Sequence, residues 1–441
     1  MTARRGFGWV VIVTLVSATA ATGAEAPHPK AINYTLDEFH QTTRPVVRAL
    51  DPVNAVRAVI RKRRPAANVD ENGQVRLPST WWTPRVGFRP VTPEDMIAGT
   101  GGDDAPAAGK WTIVKTKDEG VTPGFQMTDA NGVKWAVKLD PIAEPEMASA
   151  ADVIGSKLMW AAGYNVPTNV AVTFARQDLV IKKGLTYRDP LRGTLPFDEA
   201  RLDTLLAHGA RLPDGRWRVL ASRFLEGKPI GEFTFDGRRK DDPEDLIPHD
   251  LRRELRGLWV IAAWINHDDC SARNTLDMWV TEHHRSFVRH HLIDFSGTLG
   301  SASVDRHPYR SGYEYGLDFG AIGRSLATLG LFRPKWDHAV DPKLPGTGFF
   351  DSATFDPGSW RPLIPNPAFD ARTDDDIRWG TRIIAGFDEG MIRAAVHAGR
   401  LSDPRSEDYL VRILLERRDM ILRRWPTGTT AVASDSASAR Q

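Results

Sequence analysis

The chain has 441 residues, 41% apolar and 26% charged, which allows one large domain or two lobes and excludes a disordered or fibrous chain. Its formal net charge of +2 is accounted for by Arg4 and Arg5, so charge gives no reason to expect nucleic acid or an anionic membrane as a partner. Cys270 is the only cysteine, which rules out an internal disulfide and a cysteine-based metal site.

Arg4 and Arg5 open a charged start. Val10 to Val16 form an apolar run broken only by Thr14, and small residues follow from Ser17 to Ala24. This order predicts an export signal over 1–24, cleaved after Ala20 or Ala24, and a periplasmic or extracellular location. Arg4-Arg5-Gly6-Phe7 also resembles a twin-arginine signal. The run is too short to span a bilayer unaided, and no other segment is apolar enough to do so.

Residues 25–110 are rich in Pro, Gly and Arg and show no clear period. Trp81 and Trp82 are expected to pack this strap onto the body, and 99–109 reads as a linker. From Trp111 the pattern changes. Trp111–Lys115 alternates as a strand does, Phe125–Thr128 follows a turn, Asn131-Gly132 is a strong hairpin signal, and Trp135–Leu139 is a third strand. Met147, Ala151, Ile154, Leu158 and Ala161 recur at helical spacing over Glu146–Ala162, with Gly163 as the stop. Val170–Phe174 and Arg218–Phe224 read as strands flanking a polar insertion, 184–216. Asp250–Asn266 is a second helix with a broad apolar face, followed by strands Leu276–Val280 and Phe287–Phe295. Residues 335–372 are Pro-rich and irregular. Thr373–Ala385, Asp388–Ala398 and Pro404–Trp425 read as helices, with Asp403 as a cap and Pro404 in a first turn. The tail from 426 is expected to be disordered. The fold class is therefore α+β, with a small antiparallel sheet and one helix over 111–225 and a mainly helical half over 226–425.

Phosphoryl transfer from ATP needs a cation on the phosphates, side-chain oxygens on a bridging metal, and a carboxylate on the attacking hydroxyl. Lys138 in Trp135-Ala136-Val137-Lys138 ends a buried strand with an ammonium. Most such lysines sit on a solvated face, but Glu146 opens the next helix and could pair with it, with Glu144 as the competing partner. Asp269 and Asn274 in His267-Asp268-Asp269-Cys270-Ser271-Ala272-Arg273-Asn274 follow a helix, at a spacing that lets one loop present a base and a metal-ligating amide. Asp268 is the rival for the base and is expected to point elsewhere, inward to brace the loop. Asp294 ends an apolar strand and precedes Phe295-Ser296-Gly297, a placement suited to Mg²⁺ or Mn²⁺. His283, His284, His290 and His291 read as hairpin and strand residues rather than as metal ligands. Asp241 to Asp245 reads as a solvated loop. There is no HExxH, Walker A, Rossmann or GxSxG motif.

Together these residues resemble the protein-kinase-like superfamily, in particular its atypical HipA-like and CotH-like bacterial branches, over roughly 111–320. The resemblance implies a two-lobed kinase-like fold that uses ATP with Mg²⁺ or Mn²⁺. It makes Lys138 the phosphate contact, Glu146 its positioning acid, Asp269 the base, and Asn274 and Asp294 the metal ligands. It makes Arg223, Leu225 and Glu226 part of an inter-lobe hinge beside adenine. Departures are clear: the loop Gly120–Phe125 is not G-x-G-x-x-G, although Gly124 and Phe125 could offer backbone N–H groups to phosphate. Asp268 stands where the motif has Arg, and no APE-type segment follows. The acceptor could be a protein, a small molecule or a surface polymer. Nucleotidyl transfer, a nucleotide-binding pseudokinase and a non-catalytic scaffold remain as alternatives.

Overall fold

A computed structural model describes residues 25–30, 32, 36–43, 63–99, 101, 104–117, 122–189 and 191–427. The expected export signal and nearly all of the tail lie outside these residues.

The first sheet grows from the hairpin signal. β1 (Trp111–Thr116), β2 (Gly124–Thr128) and β3 (Lys134–Leu139) form an antiparallel meander. Gly132 turns with φ +79°, and the Asp129 carboxylate accepts from the amides of Asn131 and Val133, both at 2.9 Å. Trp135, Val137 and Leu139 alternate into the sheet core, leaving Lys138 on the other face. β4 (Asn169–Phe174) and β8 (Trp217–Arg223) extend one side, and β5 (Leu179–Ile181) joins β1 in parallel, giving the order β4-β8-β3-β2-β1-β5. The insertion read as polar folds into the hairpin β6 (Thr186–Asp189) and β7 (Gly193–Pro196) and the helix α3 (Glu199–Leu206). Phe197, Leu202 and Leu206 add to the sheet core, an apolar spacing diluted by exposed charges.

A short helix, α1 (Pro93–Ala98), precedes the sheet and was not evident in the sequence; Thr92 and Asp95 form its capping box. Helix α2 (Met147–Ala161) is buried along nearly its whole length, because it lies between the sheet and the helical half. Trp82 packs on its end and donates from Nε1 to Ala162 O at 2.8 Å. Only Gly fits at 163: its φ is +108°, and a Cβ there would come within 2.0 Å of Trp82 Nε1.

Residues 224–227 connect β8 to the second sheet, β11-β10-β9, formed by β9 (Lys228–Pro229), β10 (Thr275–Glu282) and β11 (Arg285–Leu292). Helix α4 (Arg253–Ile265) is buried on every side and ends at Asn266, which takes φ +52° and accepts from Trp360 Nε1 at 2.9 Å. After α5 (Phe319–Ala327) and α6 (Pro367–Ala371), helices α7 (Asp374–Ala385), α8 (Glu389–Ala398) and α9 (Pro404–Arg424) complete this half. The loop expected to be solvated at 241–245 is anchored instead. Asp245 is buried and bound by His249 and Arg252, at 2.8 and 2.7 Å.

Candidate active site

The site lies where the two halves meet. β3 brings Lys138, α2 brings Asp152, the segment after α4 brings Asp268 and Asp269, and the chain leaving β11 brings Asp294. Lys138 Nζ stands 2.8 Å from Asp294 Oδ1 and 3.7 Å from Asp152 Oδ2. Burial acts against the Lys138 ammonium, but the two carboxylates outweigh it and raise its pKa. Burial would also raise Asp294, yet Lys138 holds its carboxyl well below the usual carboxylate range. Asp152 is 1% exposed in its side chain, and burial pushes it up to about 7 against the pull of Lys138.

The expected pairing of Lys138 with Glu146 is not formed. Glu146 is the N-cap of α2, at φ +70°, and its carboxylate turns away to accept from Ser402 N at 2.9 Å. Glu144, the competing candidate, is bound to Arg306 at 2.6 Å. Asp152 takes the place instead and is oriented by Asn169 Nδ2, at 2.6 Å.

Asp294 adopts φ +59°, unusual for a residue with a side chain, and Ser296 Oγ donates to it at 2.5 Å. The next residue, Phe295, is fully buried. Gly155 of α2 makes room for it, since a Cβ there would lie 2.8 Å from Phe295 Cβ. The His267 ring packs against Phe295, 5.4 Å between centroids, and burial lowers its pKa. The left-handed turn at Asp294 thus aims Phe295 into the core and the carboxylate into the cleft.

In the other loop, Asn274 Nδ2 donates to Asp269 O at 2.8 Å. That bond fixes the amide with its oxygen left for another partner. Ser271 Oγ donates to Asp269 Oδ1 at 3.1 Å. Burial, then the adjacent Asp268, raises the Asp269 pKa. Asp268 braces the loop: it accepts from Ser311 Oγ, lies 3.1 Å from His307 Nδ1, and its carbonyl accepts from Leu363 N at 2.8 Å. Asp268 and Asp269 both line a cavity of about 190 Å³ with His307, Arg310, Tyr315 and Leu363.

The loop expected over phosphate is described only from Thr122 on; 118–121 lie outside the described residues. Phe125 is a correction. It lies in β2 between β1 and β3, so the sheet ladders take up its backbone, and its ring is buried. Gly124 begins the same strand, where Lys117 N donates to its carbonyl at 3.3 Å; a Cβ there would meet Val137 O at 2.1 Å. Arg223 ends β8, and Leu225 and Glu226 lie in the connector between the two sheets. Arg223 Nη1 stands 3.5 Å from Asp104.

Two residues of the cleft escaped the sequence reading. Asp152 is a lone acid within an apolar helical run, which was the available signal. Lys117 follows β1; its Nζ donates to Thr122 O at 2.8 Å, and burial, then Lys138, lowers its pKa to about 8.

A metal bridging phosphates needs few protein ligands, and an Mg²⁺ site is commonly one or two carboxylates with substrate oxygens. The donor set fits that demand: the Asn274 amide oxygen and Asp294 Oδ2 have no hydrogen-bond partner among the described residues. No group of three or more His, Cys, Asp or Glu side chains that could hold a metal by themselves is found among the described residues.

No family model and no curated protein matches the chain. Among the solved structures that overlap it are three at 11% sequence identity each. A Helicobacter pylori proinflammatory kinase, CtkA, aligns over 72% of this chain and 96% of its own, with a TM-score of 0.39. A Golgi casein kinase aligns over 90% and 92%, TM-score 0.29. A Golgi casein kinase with Mn and ADP bound aligns over 75% and 76%, TM-score 0.28. Overlaps this loose carry no argument about fold or chemistry, and neither HipA-like nor CotH-like proteins are among these three.

Proposed function

We propose that this chain is an ATP-dependent phosphotransferase that works outside the cytoplasm. The observation that supports it best is Lys138 held between Asp152 and Asp294, because such a cation is placed to meet phosphate oxygens while a free carboxylate oxygen beside it is placed to meet their metal. Asn274 and Asp294 would hold Mg²⁺ or Mn²⁺, which neutralises charge developing on the phosphates. Asp269, in the cavity it lines together with Gly297, would accept the proton of the acceptor hydroxyl. Its raised pKa suits that exchange better than an ordinary carboxylate would. Asp268, tied to Ser311 and His307, orients the loop. The connector 224–227 would lie beside the adenine. The charged, apolar and small-residue order of 1–24 supports export.

The test is incubation of the purified protein with γ- or α-labelled ATP, Mg²⁺ or Mn²⁺, and a lysate as a source of acceptors. Label transferred from the γ position supports the proposal. Label from the α position means nucleotidyl transfer. No label on any acceptor, water or the protein itself means a nucleotide-binding or scaffold role.

A further inference from the structure

Helix α5 (Phe319–Ala327) buries none of its residues. A nine-residue helix is marginal by itself in water, so an apolar face left uncovered calls for a partner. Its exposed side chains are large and apolar: Phe319 is 47% exposed, Ile322 45% and Leu326 73%. The chain beyond it continues the patch, with Leu329 89%, Leu331 81% and Phe332 49% exposed. Contiguous exposed apolar surface of this kind marks protein or membrane contact.

Charge decides between them. Residues 319–343 contain four cations, Arg324, Arg333, Lys335 and Lys343, against two acids, Asp337 and Asp341. One acid is engaged outside the segment, with Arg306 on Asp341, and the other lies 3.8 Å from Arg333. A symmetric pair of copies would set these cations facing each other. An anionic lipid surface accepts them and takes the leucines below the headgroups. The neutral balance of the chain apart from Arg4 and Arg5 conceals this local excess.

We propose that α5 and the turn after it form a peripheral docking surface for anionic lipid bilayers. The patch adjoins the Asp269 cavity: Gly316 N donates to Leu363 O at 2.7 Å, and Asp318, the N-cap of α5, is bound by Arg361 at 3.0 Å. Docking would therefore bring that cavity close to the lipid surface. The docking does not depend on phosphotransfer and is tested without it.

The experiment is co-sedimentation of the full chain with phosphatidylcholine vesicles, with and without phosphatidylglycerol. At about one factor of five per net cation, binding should weaken on the order of thirtyfold on neutral vesicles. Leu329→Glu with Leu331→Glu should lower binding to anionic vesicles more than tenfold. Leu191→Glu, at a residue 95% exposed on the β6–β7 turn, should leave it unchanged. Melting curves confirm that the variants fold. Equal binding to both vesicle types, full binding by the double variant, or loss with Leu191→Glu would overturn the proposal. So would a dimer in light scattering that the double variant splits, because the second copy would then be the partner.

Discussion

If Asp152 rather than Glu146 positions Lys138, the two acids should respond oppositely to neutralisation. At 3.7 Å and an effective dielectric near 20, attraction between Lys138 and an ionised Asp152 is about 4 kcal/mol. The net value is smaller, because burial holds Asp152 near pH 7 only partly ionised. Asp152→Asn keeps the oxygen that accepts from Asn169 but loses the charge, freeing Lys138 to lean wholly on Asp294. ATP affinity in the presence of Mg²⁺, measured by calorimetry, should fall about tenfold above pH 8 and converge on wild type below about pH 6, where Asp152 holds its proton. Stability should move the other way. A carboxyl raised above its unfolded value of 3.8 contributes stability that is full at low pH and is lost as pH rises toward about 7. The melting temperature of Asp152→Asn should therefore decline less than that of wild type between about pH 5 and pH 8. Glu146→Gln should leave ATP affinity within about twofold and cost about 1 kcal/mol of stability through the weakened bond to Ser402 N. Nucleotide affinity lost with Glu146→Gln and kept with Asp152→Asn would refute this assignment.

Asp269→Asn should leave nucleotide affinity nearly unchanged while label transfer drops by roughly 10²–10⁴, the range for a positioned acid–base group. If Asp268→Asn does this instead, the base is the neighbouring residue. The acid limb of the pH–rate profile should lie above the ordinary carboxylate value, since Asp269 must lose a proton to act; Asp268→Asn should shift that limb downward by removing the adjacent charge. Gly155→Ala should destabilise the chain by about 1–3 kcal/mol, because the new methyl meets Phe295 and Thr298, and urea denaturation measures it. N-terminal sequencing of the native protein should begin near Glu25, and an intact Met1 in a cytosolic fraction would exclude export.

The parts of this site legible in the sequence were those set by local chemistry. Asn131-Gly132 predicts the turn that presents β3, and the alternation of Trp135, Val137 and Leu139 leaves Lys138 on the opposite face. Asp269, Asn274 and Asp294 follow apolar runs; the structure links Asn274 to the Asp269 carbonyl and to Ile293 N, and sets Asp294 against Lys138. What sequence could not supply was the direction of α2. The first acid in the helix is the natural choice for a cation on the preceding strand, but Glu146 takes a left-handed backbone and its carboxylate leaves toward Ser402. Asp152, six residues on, lies about 240° around the helix axis, a difference that matters only once the packing face is known. The insertion after β4 was illegible for another reason. Its few apolar residues, Phe197, Leu202 and Leu206, belong to a core assembled by strands far away in sequence.

These two acids of α2 divide one task. Asp152 contacts the cation, while Glu146 helps fix the helix that holds Asp152. Arg218 works with Glu146: it is buried beside Asp140 at 3.4 Å, and it donates to Gly399 O at 2.6 Å and to Arg400 O. On its outer face, α2 meets Gly399, where even a Cβ would lie 2.8 Å from Ile154. The first turn of α2 is thus tied to the loop between α8 and α9, in the opposite half of the molecule. The Lys138–Asp152 contact is held by the anchoring of α2, because tilting the helix away from β3 would break the bonds of Ser149 to Asp140 and Arg218 and of Glu146 to Ser402 N. Leaving such buried groups unpaired costs on the order of 1–3 kcal/mol each. A cation pre-positioned in this way lowers the reorganisation that phosphate binding would otherwise require.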